Sequence, residues 1–165
     1  KVAIVDTGLN TMTGGRLGRL KDNLQDTFML TYGDGVSDVD ISSLVSFHKA
    51  NGKMVTVTAV HPSARFGEID INPSDNQVRS FKEKPQTTQG WINGGFFVME
   101  PAFLNLICND STVLERGPLE EAASIGELIA YKHDGFWHCM DTIRDKSVLD
   151  DLYASGAAPW VKVQL

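Results

Sequence analysis

Along this 165-residue chain, runs rich in β-branched and aromatic residues alternate with segments that carry helix start and stop signals. That alternation restricts the fold more than any other feature. Strands are predicted at Val2–Thr7, Thr27–Tyr32, Met54–Val60, Glu68–Ile71, Gln77–Lys82, Trp91–Met99 and Glu127–Lys132. Helices are predicted at Gly14–Leu24, Ile41–Asn51, Pro101–Ile107, Pro118–Ile125 and Thr142–Ala154. Asp40 and Asp141 stand where N-caps stand, Gly52 follows the second helix, and Pro101 and Pro118 suit first-turn positions. Helices interleaved with strands make an α/β sheet that is at least partly parallel. The stretch EIDINPSDNQVRSFKEK differs: two short alternating runs around Pro-Ser-Asp-Asn predict a β-hairpin attached to that sheet. With no repeat and no Pro/Gly/Ser-rich linker, residues 1–165 are expected to form a single domain.

Charge and cysteine content remove several functional classes. A net charge of −6 with no basic stripe argues against a nucleic-acid surface or an anionic membrane as partner. No apolar run approaches the ~18 residues a membrane helix needs. Cys108 and Cys139 are far apart and form no CxxC pair, so a reducing, cytoplasmic setting is expected. The chain opens at KVAIVDTG, already inside a predicted strand and without a starter methionine, which reads as a cut end. Asn109-Asp110-Ser111 matches a glycosylation sequon, a pattern short enough to arise by chance.

In open α/β sheets ligands bind beyond the carboxyl ends of the strands, so the residues following each strand matter most. After FMLTY comes Gly33-Asp34-Gly35, either a tight turn or an acid whose bare neighbours let a phosphate approach. After the hairpin comes Glu83-Lys84-Pro85, either a solvated ion pair or a stiffened charged site. Inside WINGGFFV, Asn93-Gly94-Gly95 is either a bulge or an amide beside open backbone. Asp141 follows the aromatic run FWHCM and either caps the last helix or acts chemically. Two acids, a lysine and an amide at strand ends form a conjunction suited to Mg²⁺, which takes hard oxygen ligands and keeps water and phosphates in its shell.

The ordered set TGGR, YGDG, RFG, EKP, NGGFFV, MDTIRDK and APW resembles the glucose-1-phosphate cytidylyltransferases of the sugar-phosphate nucleotidyltransferase family over nearly the whole chain. That resemblance implies a Rossmann-like α/β fold, CTP and glucose 1-phosphate as substrates, CDP-glucose and pyrophosphate as products, a Mg²⁺ requirement and a homo-oligomer. It further implies Asp34 and Asp141 as metal ligands and Glu83 and Asn93 on sugar hydroxyls. Lys84 would meet the sugar phosphate, Arg16 would lie near the nucleotide, and Gly33 and Gly94 would offer backbone. Lys84 joins the two aspartates in the catalytic set.

The family opens with a strand, a glycine-rich loop and a Gly-Thr-Arg that cradle the triphosphate, and no such motif occurs here. Thr13-Gly14-Gly15-Arg16 matches a later motif, so the chain reads as a nucleotidyltransferase domain without its N-terminal part, inactive by itself. Two rival functions remain. Asp38-Val39-Asp40 is a DxD, the metal signature of many glycosyltransferases, although Asp40 also suits a helix cap; a non-catalytic module that binds sugar phosphate or a partner chain is the other. His48 and His61 are read as ordinary surface or packing residues, and His138-Cys139 lacks a second pair at zinc spacing. Trp91, Phe96, Phe97, Phe136 and Trp137 are assigned to the core and Trp160 to an oligomer contact.

Overall fold

The computed structural model describes residues 2–62, 68–74, 76–82 and 90–161. In chain order the elements are α1 (Thr13–Gly18), β1 (Phe28–Thr31), β2 (Gly35–Ser37), α2 (Ile41–Asn51), β3 (Val55–Val60), β4 (Glu68–Ile71) and β5 (Val78–Lys82). They continue with β6 (Ile92–Met99), α3 (Pro118–Ser124), β7 (Leu128–His133), β8 (Trp137–Cys139) and α4 (Ile143–Ala154). The strands form a four-stranded sheet in the order β1-β6-β3-β7 and two ribbons, β2-β8 and β4-β5. Two compact units result: Lys1–Thr31, Asp40–Thr58 and Gly95–Tyr131 make the first, and Tyr32–Val39, Ala59–Gly94 and Lys132–Leu165 the second.

The first unit holds the larger core. β1 runs antiparallel to β6 with Phe28 opposite Met99 and Thr31 opposite Phe96. Phe97, Val98, Met99, Val55, Leu44 and Phe103 are fully buried there. α2 begins and ends as its sequence predicts: Asp40 accepts from the Ser43 amide at 2.9 Å, and Gly52 closes it with a left-handed φ of 59°. His48, expected at the surface or in plain packing, is buried inside a polar chain. Its Nδ1 faces Thr56 Oγ1 at 2.8 Å and its Nε2 donates to Glu100 Oε1 at 3.0 Å, which also accepts from Thr27 Oγ1 at 2.8 Å. A buried imidazole needs partners on both nitrogens, and this fold supplies them. Burial pushes the Glu100 carboxyl up, but the Thr27 and His48 hydrogen bonds and the nearby Lys49 charge outweigh it and hold the pKa below the usual range.

Three predicted elements of this unit change form. Residues 2–7 make no strand; Asp6 Oδ1 accepts from the Gly8 amide at 2.8 Å, and Val2 and Ile4 are exposed. An alternating pattern needs a neighbouring ladder and a core face to become a strand, and no described strand pairs with this segment. The predicted helix Gly14–Leu24 stops early, because Leu20 sits at φ −94°, ψ 4° and hands the chain to a 3₁₀ turn at Lys21–Asn23. Pro101–Leu106 is likewise 3₁₀.

In the second unit, β2 and β8 pair antiparallel with Gly35 opposite Cys139, Val36 opposite His138 and Ser37 opposite Trp137. The predicted hairpin is present as β4-β5, with an irregularity at Asp70/Ile71. α4 starts one residue later than expected and with a different cap. Thr142 Oγ1 accepts from the Asp145 amide while Asp145 accepts from the Thr142 amide, a reciprocal box that leaves Asp141 uninvolved as cap. Trp160 stacks on Phe136 with centroids 5.3 Å apart.

Gly14 and Gly15 of α1 are packing residues. A Cβ on Gly15 would lie 2.5 Å from the Asp110 carbonyl oxygen, and one on Gly14 2.9 Å from that of Thr112. Gly15→Ala is therefore expected to lower stability by about 2 kcal/mol despite alanine's better helix propensity, as chemical denaturation would show. Glu100 stabilises the fold where it is ionised in both states, above its ordinary pKa of about 4.3, and that contribution disappears as pH falls through its lowered folded value. Glu100→Gln should flatten the dependence of Tm on pH as pH falls below the ordinary glutamate pKa of about 4.3.

Candidate active site

Three hydrogen bonds within the second unit bring three separate stretches of chain together. The Met140 amide donates to the Asp34 carbonyl at 2.7 Å, extending the β2-β8 ribbon to the two acidic positions. The Trp137 indole Nε1 donates to the Gly94 carbonyl at 2.8 Å, tying the start of β6 to β8. Asn93 Nδ2 donates to the Tyr32 hydroxyl at 3.1 Å, tying the same stretch to the segment that precedes Gly33-Asp34. Gly33, Asp34, Asn93, Gly94 and Asp141 thus converge from distant positions.

Neither Gly33 nor Gly35 has a left-handed φ, so the turn reading of GDG does not account for its glycines. Packing does not account for Gly33 either. A Cβ built there meets nothing within 4 Å. Gly33 and Asp34 instead line a cavity of about 440 Å³, walled by Val36, Met140, Leu149 and Trp160 among others. Asp34 is exposed, and its carboxylate takes no hydrogen bond from any described residue.

Asp141 is exposed and lies outside that lining; Cys139 Sγ donates to its Oδ2 at 3.4 Å. Burial, the Asp141 hydrogen bond and the charges of Asp141 and Asp145 together push the Cys139 thiol up to about 11, so it remains protonated near neutral pH. Gly94 is buried and its carbonyl is committed to Trp137. Gly95 carries a φ of 78°, the conformation that places a glycine in this strand. Arg16 belongs to the first unit, where its guanidinium donates to Thr7 Oγ1 at 2.8 Å and to the Leu9 carbonyl at 3.3 Å. Glu83 and Lys84 lie outside the described residues. Among the described residues, no cluster of three or more His, Cys, Asp or Glu side chains forms a cage of protein ligands. The exposed carboxylates of Asp34 and Asp141 are hard oxygen donors with open lone pairs, the donor type suited to a Mg²⁺ that retains water and phosphate ligands.

Comparison with known proteins decides the family, since a nucleotidyl transferase family model matches residues 7–141. The chain belongs to that family. The chain is 52% identical over 161 residues to the glucose-1-phosphate cytidylyltransferases of Salmonella typhimurium and Salmonella typhi, covering 96% of this chain and 62% of theirs. It is 31% identical over 143 residues to the mannose-1-phosphate guanylyltransferase catalytic subunit beta of Xenopus tropicalis, covering 83% of this chain and 39% of that one. Among solved structures, a Bacillus anthracis chain named as a glucose-1-phosphate thymidylyltransferase superposes with TM-score 0.64 at 16% identity, covering 96% of this chain and 65% of that one. HddC from Yersinia pseudotuberculosis gives 0.62 at 17% identity, covering 88% and 64%. The shared α/β fold is that of nucleotidyltransferases, as the sequence predicts.

Tyr32 and Trp137 escape a sequence reading of this chain. Trp137 looks like core and is in fact a half-buried donor; only the folded chain, which puts the Gly94 carbonyl within reach of its indole, reveals it. Because Gly33 answers to no internal constraint, Gly33→Ala should change stability by no more than about 0.5 kcal/mol. In a chain of the relatives' full length, the same substitution should lower kcat/KM at least about tenfold. Denaturation and steady-state kinetics on one preparation check both.

Proposed function

We propose that a protein built on this chain transfers a cytidylyl group from CTP to glucose 1-phosphate, giving CDP-glucose and pyrophosphate. The observation that carries the proposal is Gly33: a residue with no side chain, no strained φ and no neighbour to accommodate, beside a carboxylate with no partner among the described residues and lining a cavity. Space that the fold does not need is space for a ligand. Likeness to two cytidylyltransferases at 52% identity supports the choice of base and sugar.

A sugar phosphate is largely ionised near neutral pH, its second pKa being about 6, so its oxygen needs no general base. That oxygen attacks the α-phosphorus of CTP, the bond to the β-phosphate breaks, and pyrophosphate leaves with the electron pair. Positioning and charge neutralisation are then the protein's work. Asp34 and Asp141 would hold Mg²⁺, which supplies charge neutralisation and Lewis acidity at the phosphates. Asn93 and Glu83 orient the sugar hydroxyls, Lys84 meets the sugar phosphate and Arg16 serves the nucleotide. The DxD alternative is disfavoured by Asp40, whose carboxylate caps α2, and by Asp38, whose Oδ1 lies 2.9 Å from His133 Nε2.

Setting and assembly belong to the same proposal. Cys108 and Cys139 are free thiols, in keeping with a cytoplasmic location. No helix among the described residues is long and apolar enough to cross a membrane. Ile143, 86% exposed, and Tyr153, 68% exposed, leave apolar surface on α4 that suits a homo-oligomer, which light scattering would detect.

The chain spans 62% of the length of the cytidylyltransferases it matches, and its 165 residues contain no glycine-rich triphosphate loop. With CTP, glucose 1-phosphate and Mg²⁺, a chain of the relatives' full length should release pyrophosphate at an ordinary enzymatic rate. The 165 residues alone should be thousands of times slower, the cost of losing a pre-organised phosphate clamp being on the order of several kcal/mol. Nucleoside diphosphate release from a nucleotide sugar would point to the transferase alternative instead. Lys84→Ala should weaken glucose 1-phosphate binding more than CTP binding, and equal losses by calorimetry would remove that assignment.

A further inference from the structure

β8 ends at Cys139, and its ladder runs one bond further, since the Met140 amide donates to the Asp34 carbonyl. In extended chain, residues two apart share a face, and here Cys139 Sγ donates to Asp141 Oδ2 at 3.4 Å. We infer that Cys139 is a positioning residue for the metal site: its thiol holds one oxygen of the Asp141 carboxylate and leaves the other to meet a divalent cation. The inference rests on the proposal that Asp141 is a ligand of Mg²⁺.

Chemistry settles the direction of this hydrogen bond. Near neutral pH a carboxylate carries no proton and only accepts, whereas a thiol, with an ordinary pKa of about 8.5, carries one. The proton therefore lies on sulfur. The neighbouring Asp145 carboxylate is taken by Thr142, whose amide donates to it at 2.9 Å and whose hydroxyl donates at 2.8 Å. Opposite Cys139 in the ribbon stands Gly35, so the partner strand puts no side chain beside the thiol. The peptide behind it is held as well, because the Cys139 carbonyl accepts from His138 Nδ1 at 2.7 Å. Among the described residues, Cys139 is the only donor to the exposed Asp141 carboxylate. Without that donor, an exposed aspartate turns about a soft, roughly two-fold terminal torsion and offers either oxygen or both. Mg²⁺ demands near-octahedral geometry with bonds of about 2.1 Å, so a carboxylate already turned to present one oxygen gives up less freedom on binding. Outer-shell donors orient metal ligands in this way. Sulfur is a poor ligand for so hard a cation, which gives the thiol the role of donor to the ligand.

The test uses Cys139→Ala, Cys139→Ser and Asp141→Asn in a chain of the relatives' full length. Mn²⁺ stands in for Mg²⁺ as the probe, titrated at fixed CTP without sugar phosphate and followed by electron paramagnetic resonance against CTP alone, so that binding is read with no turnover. Asp141→Asn should weaken Mn²⁺ binding at least about tenfold. Cys139→Ala should weaken it about threefold to fivefold with Tm nearly unchanged, and Cys139→Ser, which restores a donor, should stay within about twofold of wild type. If Asp141→Asn weakens binding while Cys139→Ala does not, the positioning role is wrong and the metal role of Asp141 stands. If Asp141→Asn leaves Mn²⁺ binding unchanged, the metal role itself fails and the inference goes with it. A serine variant that binds no better than the alanine one, or a Cys139→Ala variant that loses several degrees of Tm, would show that the thiol serves packing alone.

Discussion

The backbone hydrogen bond from Met140 N–H to Asp34 C=O is the constraint on which the candidate site depends. β2 and β8 are three residues each, and a two-stranded ribbon of that length is marginal alone. Continuing the ladder past Gly35–Cys139 carries the order of the ribbon out to the two acids at its end. Asn93 and Gly94 are then docked on the same assembly through Tyr32 and Trp137. Residues from three parts of the sequence become neighbours through one backbone bond and two bonds that need the side chains of Trp137, Asn93 and Tyr32.

Glycine plays three physically different parts in this chain. Gly15 is needed because a carbonyl of another segment lies where its Cβ would be, and Gly52 because the helix ends in a left-handed residue. Gly33 meets neither condition. Composition and motif treat the glycines of TGGR and YGDG alike, yet the first pair serves helix packing while Gly33 leaves room. The glycines of TGGR are accounted for by packing, whereas packing and backbone conformation leave Gly33 unaccounted for.

Polar groups are divided the same way. Where the fold buries them it satisfies them, as with His48 between Thr56 and Glu100. At the strand ends Asp34 and Asp141 are left exposed, Asp34 without a described partner and Asp141 with only a weak thiol donor. A carboxylate that the fold neither buries nor caps with is available for chemistry.

What the sequence determined by itself was local. The α2 boundaries, the β4-β5 hairpin and the strands around Met54–Val60 and Trp91–Met99 follow from periodicity, caps and turn residues, which act over a few positions. The family was legible too, because its motifs are short and ordered. Tertiary structure decided whatever depends on a distant partner. It gave residues 2–7 no ladder among the described strands, chose Thr142 over its neighbour Asp141 as the α4 cap, placed His48 in a buried hydrogen-bond chain and gave Arg16 acceptors at Thr7 and Leu9. It also turned Trp137 from an apparent core residue into a donor to Gly94, and made the Tyr32 hydroxyl a partner of Asn93. A side chain's chemistry is written in its own residue, but its hydrogen-bond partner is a matter of register between strands far apart in sequence, and only the folded chain sets that register.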